Sequence, residues 1–169
     1  YSSSGVATGT HMSMELLKFM TGISLAHIPY KGGAPSVTAL IGGEVQLCFA
    51  TLSTALPHVK SARLRALAVS TAKRASAAPD VPTLAEAGVP GYDYASWIGL
   101  LAPAKTSPAI VSKWHTEAAR VMQTPDMKAL LQHEGSEAVG STPQAFATTL
   151  RTEVERWRAV AKAANIAAE

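Results

Sequence analysis

The chain has one cysteine in 169 residues, so no intramolecular disulfide can form and the redox compartment leaves no mark on it. Cys48 lies in the apolar run Val45-Gln-Leu-Cys-Phe-Ala50, where a buried, inert thiol is expected rather than a nucleophile. No apolar stretch is long enough to cross a membrane as a helix. No signal peptide is visible, but the chain opens on Tyr1 inside a strand-like segment, so an upstream part is expected. Aromatics make up only 6% and are not interleaved with Arg or Lys. The net charge of +3 is scattered, with seven Lys/Arg against five Asp/Glu in residues 1–93 and eight against seven in residues 94–169. Without a basic stripe, nucleic acid is not expected as a partner. His11, His27, His58, His115 and His133 lack ligand spacing, and no carboxylate pair brackets a loop. Neither a metal nor a cofactor is expected.

What the chain does have is alternation. With 47% hydrophobic and 16% charged residues it reads as a globular α/β protein. Helices are predicted near 10–21, 34–41 and 51–61, and strands at Leu25–Ile28, Val45–Ala50 and Leu64–Ser70. Gly42-Gly43 stops the second helix. Such alternation predicts a mostly parallel sheet covered by helices, with functional loops at the strands' C-terminal ends. Residues 75–94 carry prolines 79, 82 and 90 and little periodicity, and read as a crossing between lobes, with one helical turn at 83–88. Beyond lie a strand at Ser96–Ala102, a helix from Pro108 to about Met122, and a second helix begun by Thr124-Pro-Asp and ended by Gly135. A long amphipathic helix follows, with Phe146, Leu150, Val154, Trp157 and Val160 at helical spacing. The expected division is residues 1–93 as one lobe and 94–169 as the completion of another.

Two loops carry most of the chemistry: Tyr1-Ser-Ser-Ser-Gly-Val-Ala-Thr-Gly-Thr-His11 and His27-Ile-Pro-Tyr-Lys-Gly-Gly33. Each runs from a strand end through small residues into the first turn of a helix. Backbone N–H groups and hydroxyls then gather at the positive end of a helix dipole. Two such loops at one sheet edge can hold both oxygens of a carboxylate; a third follows Ala50. Other readings stay open at this level. Ser3, Ser4 and Thr8 are also candidate helix caps, Gly5 and Gly9 candidate turn formers, and Thr51 and Ser53 caps of the third helix. His11 can bond locally, Lys31 can be solvated, and Trp97 suits a core. Ser3 or Ser4 with His11 suggests a nucleophile and base, but the Gly-x-Ser-x-Gly pattern is absent. Nucleotide fingerprints are absent too.

Seven segments in order give the chain a resemblance: Tyr1–His11, His27–Gly32, Leu40–Val45, Leu56–Lys60, Leu64–Val69, Asp80–Gly88 and Trp97–Thr106. Together they closely resemble the substrate-binding proteins of the tripartite tricarboxylate transporter family (Bug, or TctC-like, receptors). The resemblance covers essentially the whole chain and implies the C-terminal portion of a longer protein. It implies a type II periplasmic-binding-protein-like α/β fold: two lobes with mostly parallel sheets flanked by helices, the N-terminal part of the first lobe lying upstream. It also implies a periplasmic, non-enzymatic receptor that closes on a di- or tricarboxylate or related organic acid. The ligand is passed to membrane permease subunits or, in a signalling role, to a sensor protein.

Carried over by position, the ligand-binding residues are Ser3, Ser4, Gly5, Thr8 and His11 on the first loop. Tyr30, Lys31 and Gly32 follow on the second, and Thr51 and Ser53 on the third. Two departures bear on them. Ala7 stands where the family often has Gly, and Ala50 where many members carry Asp, which favours simple carboxylates over amino acids. Two alternatives from other classes are a serine-dependent α/β hydrolase-like or transferase-like enzyme, and a truncated, non-binding domain whose open edge pairs with a second copy.

Overall fold

Gly9–Thr21 folds as helix α1, with Met12, Leu16, Leu17 and Met20 recurring at helical spacing and Gly22 closing the end. Gly22 takes a left-handed φ of 73°, and its N–H caps the Lys18 carbonyl. The computed structural model describes residues 1–164 and 166, so the last positions of the expected 94–169 range lie outside the described residues. Two short strands, β1 (Ser2–Ser3) and β2 (Ile28–Pro29), pair in parallel with Ser2 opposite Ile28 and Ser3 opposite Pro29. On the other side of β1, the Ser2 N–H donates to the Leu47 carbonyl at 2.9 Å, and Ser2 forms a parallel bridge to Cys48. The segment 45–50 thus runs beside β1. Helices α2 (Gly33–Ile41) and α3 (Leu52–Lys60) each follow one of these extended segments.

The chain divides into two compact units: Tyr1–Ser96 with the residues from Trp157 onward, and Trp97–Arg156. The core of the first gathers Leu16, Tyr92 and Val160, with Met12, Leu17, Phe49, Leu84, Val89, Tyr94 and Trp157 packed around them. Segment 75–94, expected as a crossing, packs in this unit. The Tyr92 hydroxyl donates to the Ser13 carbonyl at 2.8 Å in a buried bond. Its expected helical turn is closed by a capping box. The Thr83 N–H donates to Glu86 Oε2 at 2.7 Å, and the Glu86 N–H to Thr83 Oγ1 at 3.1 Å.

The second unit contains helices α4 (Pro108–Met122) and α5 (Pro125–His133) and the first part of α6 (Pro143–Ala163). Pro108 opens α4 after Ser107, whose hydroxyl accepts from the Ile110 N–H. Trp97 meets Phe146 edge to face at 5.2 Å. The Phe146 ring also fills the space beside Gly99 that any side chain there would need.

All four expected strands are shorter in the structure than the sequence suggested, and Leu25–Ile28 keeps only Ile28, paired within β2. Val45–Ala50 contributes only the bridge at Cys48, Leu64–Ser70 only the bridge from Val69 to Thr83, and Ser96–Ala102 forms no strand. A strand exists only where a partner supplies its ladder, and Ile98, Leu100 and Leu101 stay exposed without one. The sheet is parallel, as expected, and small.

Candidate functional site

The first loop begins where β1 ends. Ser2 and Ser3 are fully buried because β1 is covered on both sides. Ser36 Oγ donates to Ser2 Oγ at 2.8 Å, pinning α2 to the strand. Beyond β1 the backbone turns sharply. Gly5 has φ 140°, and Ala7 has φ 56°, the left-handed region that residues with a Cβ rarely adopt. Three hydroxyls close the turn on itself. Ser4 Oγ lies 3.1 Å from Thr8 Oγ1 and 2.8 Å from Thr10 Oγ1, and the two threonine oxygens are 3.1 Å apart. The Ser4 N–H donates to Thr10 Oγ1, and Thr8 Oγ1 donates to the Gly5 carbonyl.

The Thr8 hydroxyl is turned back to the Gly5 carbonyl and the Ser4 and Thr10 hydroxyls, and Thr8 occupies the N-cap of α1 without a side-chain cap hydrogen bond. The same holds for Gly32 before α2 and Thr51 before α3. None of the three helices carries an acidic residue in its first turn. Each N-terminus therefore keeps its orphan N–H groups and its positive dipole end without an internal anion.

The backbone sets the loops side by side. The Tyr30 N–H donates to the Ser3 carbonyl at 3.0 Å, and the Gly32 N–H to the Ser4 carbonyl at 3.1 Å. Gly32 bends away at φ 115°, a value glycine tolerates. Gly33 then lies against Thr54, whose hydroxyl shares a 2.7 Å hydrogen bond with Thr51. Ser4, Gly5, Thr8, Gly32, Thr51 and Ser53 thus fall on neighbouring helix starts at one edge of the sheet.

Other predicted residues lie differently. Lys31 is exposed, and the Tyr30 hydroxyl donates to Glu44 Oε2 at 3.0 Å. That hydrogen bond raises the Tyr30 phenol above its ordinary value. Ser3 and His11 are buried beneath the loop rather than on it. Ser3 Oγ is 2.6 Å from His27 Nε2, and His11 Nδ1 accepts from the Ala7 N–H at 3.0 Å. The two imidazoles stack with centroids 3.8 Å apart, and the Tyr1 ring continues the stack at 4.9 Å from His27.

Glu15 sits at the edge of this stack. Its Oε1 accepts from the Tyr1 hydroxyl at 2.6 Å and from Lys18 at 2.7 Å, with His11 Nε2 at 3.7 Å. Burial opposes its ionisation, but the hydrogen bonds from Lys18 and Tyr1 and the Lys18 charge win, and its carboxyl is held below the ordinary range. Burial also pushes the Cys48 thiol up, despite a hydrogen bond with Ser2, so it stays a thiol.

Sequence reasoning missed Thr10, His27 and Tyr94 as site residues. The Thr10 signal was its place in a hydroxyl-rich loop. His27 and Tyr94 gave no local signal, since each reaches the loop only through folding: the Tyr94 hydroxyl stands against Gly9, the first residue of α1. Among the described residues, no group of His, Cys, Asp and Glu could hold a metal ion.

Residues 1–166 match the model of the tripartite tricarboxylate transporter family receptor. A protein from R. palustris solved with adipate is 39% identical with a TM-score of 0.86, over 99% of this chain and 56% of that one. MatC from Rhodopseudomonas palustris, solved with bound malate, is 28% identical with a TM-score of 0.77, over 89% of this chain and 52% of that one. Protein BugT of Bordetella pertussis is 30% identical over 96% of this chain and 50% of its own length. The chain thus spans about half the length of these relatives, and along that length it shares the fold of periplasmic binding proteins. From its first strand to the end of its last helix, this chain belongs to the tripartite tricarboxylate transporter family of receptors.

Proposed function

We propose that this chain forms the carboxylate-holding part of an extracytoplasmic solute-binding receptor. The observation that carries the reading is the set of three adjoining helix N-termini, α1, α2 and α3. They lack side-chain caps and first-turn acids; Ser4 joins the starts of α1 and α2 through its carbonyl and hydroxyl, and α3 adjoins α2 where Thr54 lies beside Gly33. An anion there accepts charge-assisted hydrogen bonds of about 1.5–3 kcal/mol each, and the dipoles favour it further. The ligand class follows from the relatives solved with adipate and malate. Ser4, Gly5, Thr8, Gly32, Thr51 and Ser53 face the ligand in this reading, while Ser3, His11 and Tyr30 shape the loops and Lys31 adds positive potential.

In the whole protein, ligand bridging two lobes shifts the population toward a closed state. That state is what a membrane permease, or a sensor, then recognises from the periplasmic side. The reaction is capture and release. Ser3 and His27 do form a serine–histidine contact, but Ser3 has no exposure through which to reach a substrate.

Calorimetric titration of the protein with adipate, malate, citrate and glutamate tests the reading. Saturable binding of one acid class is expected, weakened about fivefold by Ser4→Ala, the loss of about 1 kcal/mol of hydrogen bonding. A folded protein that binds none of them, or ester turnover abolished by Ser3→Ala, sinks it.

A further inference from the structure

We propose that His27 and His11, stacked beneath the first loop, are positioning residues, and that the loop keeps its binding shape only while His11 is neutral, so that carboxylate affinity falls in acid. The inference rests on the carboxylate reading above.

The two histidines grip the loop at opposite ends. Ser3 Oγ donates to the Gly5 carbonyl at 3.0 Å and accepts from the Gly5 N–H at 3.2 Å. With its one proton committed, its 2.6 Å contact with His27 makes Nε2 the donor. At the other end, His11 Nδ1 accepts from the Ala7 N–H, which assigns the His11 proton to Nε2, toward Glu15. This bond holds Ala7 in its left-handed conformation, between Gly5 and the Thr8 N-cap. A protonated His11 carries hydrogen on Nδ1 and cannot accept. The Ala7 N–H is then orphaned, and the strained residue loses the contact that holds it.

The surroundings offer an imidazolium little relief. His27 is faced by the His11 ring and the Tyr1 ring. His11 is faced by Glu15, whose carboxylate is already engaged by the Tyr1 hydroxyl and by Lys18; the Lys18 ammonium adds like charge. Two cations cannot share a stack with centroids 3.8 Å apart, so the rings titrate as a coupled pair. Burial, foremost, holds both histidines below their ordinary value, His27 at about 4 with His11 as its next largest cause.

The sign of the effect separates positioning from attraction. A histidine serving a bound carboxylate as a cation would tighten binding in acid. Here acid loosens the loop, and by linkage the carboxylate disfavours protonation of the pair.

The test compares adipate affinity between about pH 7.5 and about pH 5 for the wild type and for His11→Asn/His27→Gln. Asn retains an acceptor toward Ala7 and Gln a donor toward Ser3, and neither titrates. Both share adipate's own ionisation, so the difference belongs to the imidazoles. The wild-type Kd is expected to rise about three- to tenfold more than that of the double variant, following the lost fraction of competent loop. Equal pH profiles, or a relative tightening of the wild type in acid, overturn the proposal.

A ligand-free measurement stands beside it. Imidazole nitrogen NMR is expected to find His11 Nδ1 unprotonated at neutral pH, with exchange protection of the Ala7 amide lost as the histidines titrate. An amide indifferent to that titration overturns the proposal even if the double variant does not fold. Absence of adipate binding at neutral pH with the NMR result intact would instead remove the carboxylate reading and leave the latch.

Discussion

The Tyr94 hydroxyl stands in the space that a side chain on Gly9 would occupy, at the first residue of α1. Two segments more than eighty residues apart thus meet at the start of the candidate anion site. The glycine is set by this approach, since Gly9 is absent from the positive-φ glycines.

Gly9→Ala is therefore expected to destabilise the protein by about 1–3 kcal/mol through overpacking, although alanine is the better helix former by about 1 kcal/mol. Tyr94→Phe removes the atom in the way. In urea denaturation the Gly9→Ala penalty should largely vanish in the Tyr94→Phe background. A penalty of equal size in both backgrounds would mean that the hydroxyl is not its cause.

Ala7 gives the opposite expectation. At φ 56° its Cβ is a burden that glycine lacks. Ala7→Gly is expected to raise stability by about 0.5–1 kcal/mol, the left-handed strain outweighing glycine's larger unfolded-state entropy. The urea midpoint should rise with an unchanged slope; a lowered midpoint would show that the loop does not strain this residue.

Acid is expected to destabilise the protein across a defined window. An unfolded histidine takes up its proton near 6.5, whereas His27 does so only at about 4 when folded, and His11 also below its ordinary value. Between those limits the unfolded state binds more protons, so stability falls with pH by at most about 1.4 kcal/mol per unit for each histidine. Glu15 acts in the same direction lower down. Its depressed carboxyl stabilises above the ordinary value of 4.5, and that contribution is lost as pH falls through its folded value. Thermal midpoints from about pH 7.5 to about pH 4 should fall steadily in the wild type and less steeply in His27→Gln. Parallel curves would exclude His27 as a contributor.

The helices were legible because their signals are local. Thr10–Thr21, 34–41 and 51–61 were expected, and Gly9–Thr21, Gly33–Ile41 and Leu52–Lys60 are found. Pro108, Thr124-Pro125 and Pro143 mark the starts of α4, α5 and α6 just as plainly. The strands were not legible to the same degree. Val45–Ala50 and Ser96–Ala102 have strand-like composition, but composition cannot supply a neighbour's N–H and C=O groups. Pro57 lies within α3, and its missing N–H leaves the Ser53 carbonyl without its intrahelical donor beside the third loop.

By itself the sequence determined the helix positions, the small-residue loops ahead of them and, through ordered motifs, the family. Glycines, hydroxyls and apolar spacing act within a few residues of themselves, so their meaning survives without coordinates. Only the tertiary structure decided what lies beneath those loops. It buried His11, brought His27 to Ser3 from the segment leading into β2, and set Tyr94 against Gly9. The physical reason is sequence separation. The Ser3–His27 and Gly9–Tyr94 contacts form only after folding has brought distant segments together, and no local pattern encodes the partner.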